Sequence, residues 1–243
     1  MIGAVVAAGV VVVALMAWMG GLERETTTQT FEDVTEVVFD LENAPIEVTI
    51  GKGDTVVDLT VSTGFGGADV RLEQSAGTLR LIQTCPGFFL GWGCSARFEV
   101  GIPPGVSVAG NTSNGAITLT GVDLFAEVTT SNGAVTLEDV SGDLSIRTSN
   151  GAIVGDRLSS DTVDAATSNG RIEMSFDTPP STVTLDTSNG SVRVVLPPDT
   201  PPVDLSTDTS NGDIVNEVRT DPESETTIGI ETSNGDITVT YAD

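Results

Sequence analysis

Residues 111–153 read NTSNGAITLTGVDLFAEVTTSNGAVTLEDVSGDLSIRTSNGAI, and the tripeptide Ser-Asn-Gly returns in them at Asn114, Asn132 and Asn150. It returns four more times, at Asn169, Asn189, Asn211 and Asn234, with spacings of 18, 18, 19, 20, 22 and 23 residues. Recurrence of this kind marks a repeat architecture, whose units bury their apolar faces only by stacking on neighbours. Two residues before each Asn stands Thr (112, 130, 148, 167, 187, 209, 232), and three residues after stands Ile or Val (117, 135, 153, 172, 192, 214, 237). Six before come Val108, Ala126, Leu144, Val163, Val183, Leu205 and Ile228; five after come Leu119, Leu137, Gly155, Met174, Val194, Asn216 and Val239. Apolar positions with period two on either side of the tripeptide describe two short strands meeting at a corner, not a helix.

Asn-Gly at that corner suits a backbone of positive φ, since Asn tolerates the left-handed region and Gly has no Cβ to clash. Identical polarity in all seven units favours parallel coils over independent hairpins. Each Asn then stacks on the next and the amides bond along the axis as a structural ladder. Seven coils about 4.8 Å apart make a rod of roughly 34 Å. The extra residues of the later units, DTPPS (177–181), PPDTPP (197–202) and RTDPESET (219–226), fall at one place in the unit, the edge where a solenoid tolerates insertions. The expected fold is therefore all-β, a single-domain parallel β-solenoid whose regular coils occupy 101–243. Residues 35–100 are expected to form degenerate, capping coils, with Val37, Phe39, Leu41, Ile46 and Val48 framed around Asn43 and a second frame around Ala76.

Ahead of this lies IGAVVAAGVVVVALMAWMGGL (2–22), with no charged side chain. Twenty-one residues at about 1.5 Å each match the hydrocarbon core of a bilayer, and Trp18 sits near one end as an interfacial aromatic does. No basic residue precedes the run and Ala17-Trp18-Met19 is a poor cleavage site, so a membrane-spanning helix over 1–22 is expected over a cleaved signal peptide. Residues 23–34 read as a linker. Cys85 and Cys94, the only two cysteines, bracket CPGFFLGWGC; the intervening Pro, Gly and aromatics read as a hairpin loop, and a Cys85–Cys94 disulfide is expected. An oxidising compartment places residues 23–243 outside the cytoplasm of a cell whose membrane lipid holds the anchor.

The units TSNGAITLTGV, TSNGDIVNEV and ETSNGDITVTY, with the lead-in EVGIPPGVSVAGNTSNG, resemble the DUF4097 family over roughly residues 35–243. The resemblance implies a toastrack-type β-solenoid ectodomain of a prokaryotic envelope protein, named for adhesion and with relatives linked to envelope-stress signalling. It carries over no catalytic residue.

Composition narrows the chemistry. With 35 acidic and 10 basic residues and no histidine, the net charge is −25, which excludes a nucleic-acid backbone as partner. Nine of the ten bases are Arg and one is Lys52, a pattern that fits either an acidic, Lys-poor surface suited to concentrated salt or a GC-rich genome that favours Arg over Lys. Only Asp213 and Asp236 follow the Gly of a repeat, so a calcium roll, which needs Asp at every turn, is not indicated; divalent cations would associate weakly. No cofactor and no metal site is expected. Scattered carboxylates and the missing His leave a carbohydrate-active enzyme the weakest reading. The leading one is a non-catalytic binding or adhesion module for an unknown protein or surface polysaccharide. An envelope-stress sensor or scaffold contacting other membrane proteins is the alternative. FFLGW (88–92) is an apolar cluster expected to cap the solenoid's end or dip toward the membrane beside the anchor, with a partner-binding patch as the alternative, and Asn111 and Asn189 begin glycosylation sequons.

Overall fold

The computed structural model describes residues 24–62, 68–85 and 95–242, together with strands Ile2–Ala7 and Val10–Met16. Two long sheets face each other, and every repeat contributes one strand to each. The strand before each Asn lies in the first sheet and the strand after each Gly in the second. In the Asn132 unit, for example, Ala126–Thr130 pairs in parallel with Ser107–Thr112 and with Leu144–Thr148, in register. Val135–Glu138 does the same between Ile117–Thr120 and Ile153–Leu158. The inward positions of neighbouring coils thus stack at one level, and Val128, Ile146, Leu119, Leu137 and Ile153 are completely buried between the sheets. Burial of each such side chain contributes about 1.5–3 kcal/mol, so stability accumulates coil by coil.

The Asn43 frame is a true coil. Glu36–Leu41 and Ile46–Ile50 pair in parallel with the two strands of the Asn114 coil, although paired positions lie 71 residues apart in sequence. The second expected frame is not a coil. Asp69–Ser75 and Thr78–Thr84 form an antiparallel hairpin whose turn, Ala76 (φ 50°) and Gly77 (φ 84°), is left-handed at both positions. That is the type I′ hairpin geometry, in which Gly77 supplies a positive φ at no steric cost and the chain reverses within its own sheet. The stretch around the cysteines also departs from expectation. Thr78–Thr84 belongs to the first sheet and Ser95–Ile102 to the second, so these two strands do not pair with each other as a hairpin. Strands Arg24–Phe31 and Thr55–Ser62 finish the second sheet in antiparallel fashion, covering this end of the stack.

Over the expected membrane helix the structure has two antiparallel strands, Ile2–Ala7 and Val10–Met16, the second running along Asp69–Ser75. Residues 1, 8–9 and 17–23 lie outside the described residues. The run is rich in Val, whose branched Cβ favours a pleated strand wherever a sheet edge is offered. Among the described residues no helix is long and apolar enough to cross a membrane.

At the far end the coils leave sequence order. The first sheet runs Thr162–Asn169, Thr182–Asn189, Thr227–Asn234 and only then Asp204–Asn211, so the last repeat slots between the fifth and the sixth. Inward side chains explain the exchange. The Asn234 coil presents Ile228, Ile230, Ile237 and Val239, all buried; the Asn211 coil presents Leu205, Thr207, Ile214 and Asn216. A coil with two polar inward residues costs least at the end of a stack, where water reaches it.

Candidate binding surface

The corner of each coil is held by two hydrogen-bond ladders. Along the outside, Asn114 Nδ2 donates to Asn43 Oδ1 (2.7 Å), Asn132 to Asn114 (2.8 Å), and Asn150, Asn169 and Asn189 each to the Asn before it (3.0 Å). Asn234 then donates to Asn189 and Asn211 to Asn234, both at 3.0 Å. The structure thus brings all seven sequence-singled Asn residues into one row, headed by Asn43. Just inside runs a second ladder. Thr130, Thr148, Thr167 and Thr187 each donate from Oγ1 to the carbonyl of the Gly one coil earlier, at 3.0–3.1 Å. These Thr side chains face the core, which their period-two position with the aliphatics already implied. Their hydroxyls satisfy carbonyls that would otherwise be buried without a donor.

The glycine of the tripeptide is needed for a reason other than positive φ. Neither it nor the preceding Asn takes a left-handed φ in any of the seven units. A Cβ on Gly133 would instead sit 1.9 Å from the Gly115 carbonyl oxygen, and one on Gly151 1.8 Å from that of Gly133. Coils approach so closely at the corner that only hydrogen fits.

The outward face of the first sheet carries rows of in-register side chains. One row runs Thr129, Arg147, Ala166, Asp186, Glu231, Asp208, each on the strand next to the last. Arg147 is paired with Asp164 at 2.7 Å. Past Ala166 the row is three carboxylates with no basic partner. They flank an open groove of about 470 Å³, lined also by Ser188, Ser210 and Ser233. A polar groove of this kind offers acceptors repeating about every 4.8 Å along the stack. On the opposite sheet Arg157 gathers Glu138 (2.7 Å), Asp139 (2.7 Å) and Asp156 (2.6 Å). Its hydrogen bond to Asp139 holds that carboxyl below the usual range.

The open end is closed at one side by a clasp. Arg219 donates from Nη2 to the Thr200 carbonyl (2.9 Å) and from its backbone N–H to the Tyr241 hydroxyl (3.1 Å), tying together two of the insertions and the last strand. Burial pushes the Tyr241 phenol up, but the hydrogen bonds and charge of Arg219 outweigh it and bring the group below its ordinary value. The remaining edge, Ile214–Asn216, is solvent-exposed, with Ile214 and Val215 showing 46% and 44% of their surface.

Cys85 lies beside the Asn43 corner, where Glu42 accepts its backbone N–H at 2.7 Å. Cys94 and FFLGW fall outside the described residues, and so does the expected pairing. Asp236 accepts the Asp213 N–H at 2.9 Å, which is a corner contact between coils; among the described residues no cluster of three or more His, Cys, Asp or Glu could hold a metal. Of the sequons, Asn189 is committed to the ladder as both donor and acceptor. The acidic groove escaped the sequence reading, although Asp186, Asp208 and Glu231 each stand three residues before the Asn of their repeat and in-register stacking alone lines them up; the exchange sets only their order.

Among solved structures the chain resembles a "putative lipid binding protein" from Parabacteroides distasonis, with 13% identity, a TM-score of 0.52, and coverage of 90% of this chain and 97% of that one. It also resembles a "putative cell adhesion protein" from Clostridium sporogenes (12% identity, TM-score 0.46, 90% and 100% covered) and a "putative adhesin" from Bacteroides fragilis (13%, 0.45, 90% and 97%). No curated protein matches. The Toastrack DUF4097 family model spans residues 22–240, all of the double-sheet stack, and the chain belongs to that family.

Proposed function

We propose that the protein is a membrane-anchored, extracytoplasmic, non-catalytic binding module that presents the acidic end of its first sheet to a partner. The observation that carries the reading is the open groove bounded by Asp186, Glu231 and Asp208, with Ser188, Ser233 and Ser210 along it. Carboxylates and hydroxyls at strand spacing suit a cationic or hydroxyl-rich polymer, a surface polysaccharide or an extended polypeptide. They do not suit an acyl chain, although one structural neighbour is described as lipid-binding. A rigid in-register face also fits recognition, because little side-chain or backbone order has to be gained on binding.

Anchoring rests on the charge-free run 2–22. Inside a bilayer no sheet edge is available and every backbone group must bond within the segment, so the same Val-rich run becomes a helix there. A Cys85–Cys94 disulfide belongs to the same reading and fits an extracytoplasmic stack. It makes intact protein resistant to thiol labelling until reduced, and ready labelling of both cysteines without reductant would refute it.

The test is a photo-cross-linker at Ser188 in the full chain on intact cells, in the wild type and in the triple variant Asp186→Asn, Glu231→Gln, Asp208→Asn. A discrete product that the triple variant loses supports the groove. If that product is a membrane protein of the same cell, the module is regulatory; if it is polysaccharide or another cell's surface, it is an adhesin. A product the triple variant retains places binding elsewhere, and no product removes the binding reading.

A further inference from the structure

We propose that Asn211–Gly212 is a site of spontaneous deamidation, and that the ladder protects the other six Asn-Gly pairs from the same reaction. All seven pairs have the intrinsically reactive sequence: glycine's lack of a side chain leaves its amide nitrogen free to attack the preceding Asn side chain. In the step itself the Gly212 nitrogen gives its proton to water or hydroxide and bonds to Asn211 Cγ. The Cγ–Nδ2 bond breaks and ammonia leaves with a proton from solvent. Water then opens the five-membered imide to aspartate or isoaspartate. No electrons are transferred, and water is the only co-reactant.

Attack requires the Asn side chain to rotate out of its ladder position, and the cost of rotation differs along the stack. Asn169 is typical of the interior: it donates to the Ser149 carbonyl (3.4 Å) and to Asn150 Oδ1 (3.0 Å), and accepts from Asn189 (3.0 Å). Asn211 donates to Ser233 (3.5 Å) and Asn234 (3.0 Å), but its strand is outermost, so no neighbour donates to its Oδ1. The nucleophile differs as well. The Gly170, Gly190 and Gly235 N–H groups donate to the Asn carbonyl of the next coil at 2.9–3.1 Å, and that of Gly115 to Thr112 Oγ1 at 3.2 Å. Gly133 is buried and Gly151 half-buried. Gly212 is the exposed glycine of the seven, with no next coil to accept its N–H. The opposite end of the ladder is safe for a different reason, since Asn43 is followed by Ala44.

The product changes the end of the stack. A carboxylate at position 211 has no N–H to give Asn234 Oδ1, and it adds negative charge beside Asp213 and Asp236. The outermost coil loses its ladder bond and loosens, taking the Asp208 wall of the groove with it.

The test is incubation of the full chain in mildly alkaline buffer, with the amide-to-acid mass gain followed peptide by peptide. Position 211 converts at least about tenfold faster than positions 114, 132, 150, 169, 189 and 234, because opening a coil end costs less than opening the interior. In denaturant the seven rates converge, which separates protection by the fold from the reactivity of the local sequence. An interior Asn converting as fast as Asn211 in the folded chain, or Asn211 as slow as the interior, overturns the proposal.

Discussion

Asn211 donates its side-chain hydrogen bond to Asn234, 3.0 Å away and 23 residues later in the chain, and not to Asn189, the repeat that precedes it in sequence. The outermost coil therefore comes earlier in the sequence than the one beneath it, and the final repeat lies between two coils that precede it in the chain. Each coil's inward side chains decide the order: the all-aliphatic Asn234 coil takes the interior, and the coil with Thr207 and Asn216 takes the end.

Paired cysteines test that order directly. Thr184 is in register with Gly229, and Gly229 with Ser206, so Thr184 and Ser206 stand two strands apart, about 9.6 Å. The pair Thr184→Cys with Gly229→Cys closes a disulfide under mild oxidation; Thr184→Cys with Ser206→Cys does not, because a bridge cannot span more than about 7 Å between Cα atoms. Stacking in sequence order would give the reverse.

How much of this was legible beforehand depended on whether the determinant was periodic. The coil, its two strands, the Asn row and the inward aliphatics were readable because each recurs at the same offset. The Asn43 coil was readable because Val37, Phe39, Ile46 and Val48 keep the frame. The Ala76 frame misled for the same reason: a hairpin and a coil both give alternation, and only the left-handed φ of Ala76 and Gly77 tells them apart. The exchange of the last two coils could have been suspected from Asn216, polar at a position otherwise held mostly by aliphatics. The groove could have been suspected as well, since Asp186, Asp208 and Glu231 recur three residues before Asn in consecutive repeats and fall in one row in either stacking order. Gly at the corner was identified correctly as a residue and wrongly in its reason, because a close approach between coils leaves no mark in the sequence of one coil.

That close approach predicts a sharp contrast between glycines. Gly133→Ala forces a Cβ to 1.9 Å from the Gly115 carbonyl, with stacked backbone on both sides that cannot yield. It costs about 4 kcal/mol or more, among the largest single-residue effects. Gly229 has nothing within 4 Å of its Cβ position and no left-handed φ; Gly229→Ala is neutral or stabilising by about 0.4–1 kcal/mol through the unfolded chain. Urea melts of the two variants would separate them, and similar midpoints would refute the steric account.

The inner ladder predicts a graded loss along the stack. Thr148→Val keeps the shape of the side chain but removes the donor to the Gly133 carbonyl, 3.0 Å away in the buried corner. Leaving that acceptor unsatisfied costs about 1–3 kcal/mol. Thr209 makes the equivalent bond to Gly235 at 3.0 Å, but in the half-buried end coil, where water can replace the lost hydroxyl. Thr209→Val is expected to lower the chemical-denaturation midpoint by less than half as much as Thr148→Val. Equal losses would mean that the carbonyls, and not their burial, set the cost.

Arg157 makes a prediction about acid. It sits at φ 53°, beside Asp139 at φ 55° one coil away, where the register of the second sheet shifts between Gly155 and Leu158. Left-handed backbone at a non-glycine residue costs about 1–2 kcal/mol, so the bulge persists only if something holds it. The guanidinium does so by gathering three carboxylates from two coils. Its hydrogen bond lowers the Asp139 pKa. A folded-state value below the unfolded one means stability that is fully present above the ordinary carboxylate pKa of about 3.9 and lost as pH falls through the depressed value. The melting temperature of Arg157→Gln therefore lies below wild type by a constant amount between about pH 5 and 8. Below about pH 4 the gap closes as Asp139 takes its proton in both proteins. Because the four charges are exposed, the gap also narrows with added NaCl, whose screening length falls to about 3 Å at 1 M. A gap independent of both pH and salt would show that Arg157 acts through the packing and neutral hydrogen bonding of its side chain and not through its charge.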